Sequence, residues 1–288
     1  MKTLVFGEVL WDVYTDGEYL GGAPMNFSAH FKKCGGESWI VTAVGDDLMG
    51  NNTVCEIEKR GINTEYISVV EQETGKCLVT LDEKHIPSYN LLDNVAYDYI
   101  CMPDTNNEVF DVLYFGTLAL RNENNRNVLK QILSENSFHN VFVDVNIRTP
   151  FCCGDVVRFV FENATIIKIS DEELPTVMSI LDKDELSVKK CAQMLSEQFR
   201  NLRMIIITRG DKGSVVFDCV NKKYHECESQ KVEVASTVGA GDSFSAAFLI
   251  KYIKTNDISK ALDFATKISG YVVSCKEAIP EYDLKDFE

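Results

Sequence analysis

Short apolar runs recur along the chain and alternate with segments whose apolar positions follow a helical spacing. The runs are Leu4–Gly7, Trp39–Thr42, Val112–Phe115, Val141–Val145, Thr165–Ile169, Met204–Thr208 and Val232–Ala235. Several are apolar almost throughout, the pattern of strands covered on both faces. Between them lie amphipathic stretches such as Asn124–Glu135 and Leu186–Phe199, which read as helices. Strand and helix in alternation predict an α/β fold, a mostly parallel central sheet between two helical layers, joined by right-handed crossovers.

Two stretches break the rhythm. Leu10–Gly22 and Gly75–Ile100 carry strand-like residues and polar turns with no helix between them. Within the second, Cys77–Leu81 and Ser88–Leu92 read as a hairpin joined through residues 82–87. A small β-sheet formed by about 10–22 and 75–100 is therefore expected to sit as a lid on a single α/β domain spanning 1–288. The chain shows neither an internal repeat nor a low-complexity linker.

Composition narrows the classes of function. A hydrophobic fraction of 45% and a charged fraction of 25% over 288 residues are those of an ordinary globular protein. A chain of this length buries ~75% of its unfolded surface without disulfide or metal staples. The 44 acidic against 29 basic residues leave a net charge of −15, a field that repels nucleic acid. No apolar run reaches the ~18 residues of a membrane span, and no membrane partner is expected. The opening MKTLVFGEVLW is interrupted by Glu8 and lacks a small-residue cleavage site, so it reads as a first strand rather than an export signal. The ten cysteines contain no Cys-x-x-Cys pair, and the four histidines are scattered. A zinc-type cluster is not expected, and reduced thiols in a cytoplasmic protein are.

Candidate chemistry collects at strand ends. Ser236-Thr237-Val238-Gly239-Ala240-Gly241-Asp242 precedes a segment of small and apolar residues, SFSAAFLIKYIK. Glycines at a helix start leave backbone N–H groups free for an anion, and a carboxylate there can take a proton from a hydroxyl. Thr208-Arg209-Gly210-Asp211-Lys212-Gly213 leaves an apolar strand, where α/β folds bind ligands. Gly21-Gly22 followed by Pro24 build a close-approach turn, and Asp12 and Asn26 suit vicinal hydroxyls of a sugar. Asp144-Val145-Asn146-Ile147-Arg148 and Lys168-Ile169-Ser170-Asp171-Glu172-Glu173 leave two further strands. Taken alone, each segment is better read as an ordinary turn or helix cap.

As an ordered set the segments resemble the ribokinase-like (PfkB) carbohydrate kinases, from Gly7 to about Pro280. Gly239-Ala240-Gly241-Asp242-Ser243-Phe244 resembles the family's C-terminal signature, and Gly21–Asn26 lies in its N-terminal one. Gly21-Gly22-Ala23-Pro24-x-Asn26, Phe115–Ala119, Asp144-x-Asn146-x-Arg148, Lys168-x-Ser170-Asp171-Glu172-Glu173, Asp93–Asp98 and Ala278-Ile279-Pro280 are similar to fructokinases. The resemblance implies a ribokinase-like three-layer sandwich with a β-lid, and ATP-dependent phosphorylation of a small sugar, fructose first. Ribose and 2-keto-3-deoxygluconate are the alternative substrates, and a non-catalytic sugar sensor is the alternative class.

The same resemblance implies roles. Asp242 would be the base, with Gly239, Ala240 and Gly241 as the anion hole. Asp12, Gly22 and Asn26 would hold the sugar, with Asn146 and Arg148 near the phosphates or the sugar's reacting end. Lys168, Ser170, Thr208, Gly210 and Gly213 would line the ATP site, Thr266 and Lys267 would lie near adenine, and Glu173 would order Mg²⁺ through water. Ser236 stands where relatives carry an Asp that helps hold a monovalent cation, which argues against strong potassium activation. A homodimer paired through the lid is the expected assembly.

Overall fold

The computed structural model describes residues 1–15, 17–81, 87–105, 108–185 and 187–287. Its strands are β1 (Lys2–Phe6), β2 (Leu10–Val13), β3 (Glu18–Gly21), β4 (Glu37–Gly45), β5 (Ile67–Val70), β6 (Gly75–Leu81), β7 (Pro87–Leu91), β8 (Val112–Phe115), β9 (Asn140–Asp144), β10 (Ile166–Ser170), β11 (Met204–Thr208), β12 (Ser214–Asp218) and β13 (Lys223–Cys227). The α-helices are α1 (Ala23–Lys33), α2 (Leu48–Lys59), α3 (Glu123–Glu135), α4 (Gly154–Asn163), α5 (Leu174–Ile180), α6 (Val188–Gln198), α7 (Ala240–Thr255) and α8 (Ile258–Val273).

Nine strands form one sheet in the order β13-β12-β11-β10-β9-β8-β1-β4-β5. The seven from β11 to β5 run parallel, and β12 and β13 close one edge antiparallel. The chain leaves β1 towards β4 and β5, then returns to build β8 through β11 on the other side. Strand order therefore reverses between β1 and β8, and the crevice beyond the carboxyl ends there is where such sheets take ligands.

Successive residues of the inner strands face opposite layers, so both faces are apolar. Leu4, Val41, Leu113, Val143, Ile167 and Ile205 pack against α3, α4, α5 and α6. Val5, Val112, Tyr114, Phe142, Ile166 and Ile206 pack against α1, α7 and α8. α7 is buried from Ser243 to Ile250. Its small residues let α1 and α8 approach from either side, which pins the helix start carrying Asp242.

The expected three-layer α/β fold with a second small sheet is what forms. The small sheet has the order β3-β2-β6-β7, with β2 and β6 parallel and the outer pairs antiparallel. Leu10, Cys77 and Val79 seat it on Val95, Tyr97 and Leu118. Trp11 Nε1 donates to Thr53 Oγ1 on α2 (2.8 Å). At its base the buried Arg121 donates to both oxygens of the buried Asp98 (2.7 Å each) and to Leu92 O.

The run Val232–Ala235 makes no strand. The amides of Ala235 and Ser236 both donate to Val273 O at the end of α8, so the segment crosses a cleft instead of joining a ladder. The edge strand β13 has no apolar run to announce it, because half its residues face solvent. In the expected helix Leu186–Phe199, Leu186 lies outside the described residues and α6 begins at Val188. Most of the hairpin's connection, 82–86, lies outside them too.

Candidate active site

Gly239 takes a left-handed conformation (φ 78°, ψ −5°) and turns the chain into α7. No side chain caps this end, and the Ala240 amide turns back on Thr237 O (3.3 Å), which leaves the Gly241 and Asp242 amides and the positive end of the helix dipole at the crevice. Asp242 lies in that first turn. The start of α1 meets it from the opposite side. Gly22, at φ 108°, caps α1, and a Cβ there would lie 2.6 Å from Glu8 O, so only glycine permits the approach. One turn on, Asn26 Nδ2 donates to Asp242 Oδ2 (2.9 Å).

Burial pushes the Asp242 carboxyl up to about 7, and the nearby Asp144 charge adds to the rise. The Asn26 hydrogen bond and the charges of Lys168 and Arg148 oppose it. Lys168 Nζ pairs with Asp144 Oδ2 at 2.5 Å, both side chains being almost fully buried. The ammonium also backs the glycine turn, lying 3.2 Å from the point where a Cβ on Gly241 would be. Ser245 Oγ donates to Gly241 O (2.9 Å) and lies 3.3 Å from Asp144 Oδ2. Asp144 stays above the usual carboxylate range because burial outweighs its ammonium partner.

Asp12 projects from β2 in the small sheet. Its carboxyl is raised by burial and lowered by Cys77 and by Arg148. Arg148 is exposed on the loop after β9, and its charge also acts on Glu8 and Asp242. Asn146, before it, holds a positive φ of 39°. Glu173 ties this loop to the next strand end. Its Oε1 accepts from the Ile147 amide (2.5 Å), and its Oε2 accepts from the Ser170 amide and hydroxyl (2.8 Å each).

A cleft of about 830 Å³ opens on the other side of the Gly239 turn. It is lined by Thr208, Gly210, Gly213, Ala240 and Gly241 together with the apolar Val232, Phe244 and Val273.

Residues 2–284 match the pfkB family carbohydrate kinases. The chain belongs to that family. A probable fructokinase-5 of Arabidopsis thaliana is 26% identical over 96% of this chain and 92% of its own length. A ribokinase of Dictyostelium discoideum is 23% identical over 88% of this chain and 83% of its own. The crystal structure of the Vibrio cholerae O395 fructokinase, bound to fructose, ADP and calcium, superposes with a TM-score of 0.83. It is 20% identical, over 99% of this chain and 98% of its own.

In this PfkB kinase, Asp242, the Gly239–Gly241 turn, Asn26 and Gly22 come together at one point. Thr208, Gly210 and Gly213 share the large cleft with Thr266. Lys168 and Ser170, expected in the ATP site, are not among the residues that line this cleft. Lys168 points at Asp144 behind the Gly241 turn, and Ser170 is bound to Glu173. Lys267 turns away to pair with Asp263 at 2.9 Å, because it lies one position round α8 from the cleft-lining Thr266.

Three contributors were given no role in the sequence reading. Glu8 is 3% exposed, its Oε2 has no hydrogen-bond partner, and burial pushes it up to about 7. Asp144 and Ser245 hold the ammonium and the turn. An acid at or just beyond the end of a largely apolar strand was the available signal for Glu8 and Asp144. Ser245 looks like any small residue of a packed helix.

Proposed function

We propose that this carbohydrate kinase transfers the γ-phosphoryl group of ATP to a hydroxyl of a small neutral sugar, fructose giving fructose 6-phosphate. The observation that carries the reading is the position of Asp242. Its helix start borders the 830 Å³ cleft through Ala240 and Gly241, and its carboxylate meets α1, which follows the small sheet, through Asn26. A nucleotide in the cleft and a sugar held beside Asn26 would meet at its carboxylate.

Asp242 takes the proton of the attacking hydroxyl, whose oxygen bonds to phosphorus while the bond to the ADP oxygen breaks. The first-turn amides and the Lys168 ammonium behind Gly241 stabilise charge on the transferring group, the electrostatic support such transfers depend on. Asp12 and the open acceptor Asn26 Oδ1 hold sugar hydroxyls. The small sheet excludes water, which limits idle hydrolysis.

The donor set fits a hydrated magnesium ion carried on the phosphates. The described residues hold no cluster of three or more metal-ligating side chains. Glu173 has about four acceptor directions, of which three are filled by Ile147 and Ser170. One remains, enough for a single bound water, in keeping with the habit of Mg²⁺ of retaining several. When bound, the ion would neutralise phosphate charge.

Fructose is favoured over ribose by the fructokinase relatives. An acidic sugar such as 2-keto-3-deoxygluconate would bring its carboxylate against Glu8, Asp12 and Asp242, with Arg148 as the opposing charge. We further propose a homodimer through the small sheet, whose Tyr19 and Tyr89 are exposed, and a cytoplasmic location. ADP release across a panel of ketoses, aldoses, sugar acids and nucleosides tests the reading. Turnover highest with fructose supports it, and turnover confined to an acid or a nucleoside contradicts it.

A further inference from the structure

His30 is a fully buried imidazole with no part in the chemistry above. It lies one turn beyond Asn26 on the same face of α1, so the two side chains project in the same direction. Nε2 is 2.9 Å from Ala278 O, and Nδ1 is 2.9 Å from the Tyr282 hydroxyl. A carbonyl oxygen can only accept, so Nε2 carries the hydrogen and Tyr282 donates to Nδ1. Burial holds the ring near pKa 4, so it stays neutral at physiological pH and this tautomer persists.

The partner carbonyl is not an arbitrary one. Ala278 O presses on Gly239, where a Cβ would come within 2.5 Å of it, and the Ala278 methyl lies 3.0 Å from the same point. Gly239 is the left-handed residue that aims the first-turn amides of α7. Contacts therefore run from His30 to Ala278 and from Ala278 to Gly239. α1 thus grips both parts of the site. Asn26 holds the carboxylate of Asp242, and His30 holds the segment that braces the anion-binding turn.

We propose that His30 is a positioning residue for phosphoryl transfer, fixing the Gly239–Gly241 turn through the carbonyl of Ala278. The proposal rests on the phosphotransfer reading of that turn. Binding of sugar and of adenine is made elsewhere, so the loss should fall on turnover. A misplacement of about 1 Å at a reacting centre costs on the order of 10²-fold.

The test compares His30→Leu with His30→Gln, since the Gln amide can donate to Ala278 O from nearly the Nε2 position. In His30→Leu, kcat should fall about 10- to 100-fold, with dissociation constants for fructose and a non-hydrolysable ATP analogue within about threefold of wild type. His30→Gln should recover most of the turnover. Amide NMR gives a reading independent of the substrate. The Gly239 and Gly241 signals should shift in His30→Leu and return towards wild type in His30→Gln. Unmoved glycine signals, or equal kcat losses in both folded variants, overturn the proposal. Shifted signals in an enzyme that phosphorylates no sugar would uphold the brace and contradict the function assigned to the turn.

Discussion

Replacing Lys168 by Met keeps the length of the side chain and removes its charge, leaving Asp144 alone in the interior. The pair is 2.5 Å apart, with side-chain exposures of 7% and 4%. At an effective dielectric of ~20, unit charges at that separation attract by roughly 7 kcal/mol. Desolvation has already consumed much of this, as the raised carboxyl of Asp144 shows. Breaking such a pair from one side typically costs about 3–5 kcal/mol, and that is the expected loss for Lys168→Met at pH 7. The carboxylate would relieve itself by taking up a proton. Its folded pKa would then lie further above the unfolded value, so its contribution is present at low pH and lost as pH rises. The deficit should grow, by up to about 1.4 kcal/mol per pH unit, as pH rises above the ordinary carboxylate value. Urea unfolding followed by the fluorescence of Trp11 and Trp39 measures it. Asp144→Asn combined with Lys168→Met should regain much of the loss and flatten the pH dependence. A single variant within 1 kcal/mol of wild type (about a fivefold change in the unfolding constant), or a double variant as unstable as the sum of the singles, would refute the reasoning.

The base should show itself in the pH profile. Asp242 works deprotonated and is held up to about 7, so kcat/KM should fall as pH drops through that region. Arg148→Gln removes a charge that lowers it and should move this limb to higher pH; a limb displaced downward would contradict the assignment. Ser236 offers a cation only a neutral hydroxyl, which already accepts from the Val238 amide (3.2 Å). Wild-type activity should therefore be similar in potassium and in tetramethylammonium at equal ionic strength, and Ser236→Asp should create a potassium response. A carboxylate at ~4 Å adds about 4 kcal/mol of attraction at a surface-like dielectric. Saturable, severalfold potassium activation of the wild type would show that backbone carbonyls suffice.

The parallel sheet was legible because its strands are buried on both faces, and a run such as Met204–Thr208 has few other readings. The small sheet was legible as a break in the alternation. Val232–Ala235 misled because its β-branched residues line a cleft, which asks for the same side chains as a strand. β13 stayed hidden because an edge strand needs only half its residues apolar. The site showed the same divide. Gly239–Asp242, Asn26 and Thr208–Gly213 stand out locally, through glycines and the position of an acid. Lys168 stood out, but its partner is chosen by the register of β9 beside β10, which pairs it with Asp144. His30 and Ala278 are 248 positions apart, and nothing local to either announces their contact.

The central claim is that Asp242 removes the proton from a sugar hydroxyl between the large cleft and α1. Its most direct test is the turnover number of Asp242→Asn at saturating fructose and MgATP, with sugar binding measured calorimetrically on the same sample. The amide is isosteric and can keep a hydrogen bond to Asn26 but cannot accept the proton. Folding and sugar binding should survive while kcat falls by ~10²–10⁴. Near-normal turnover in that variant would contradict the account.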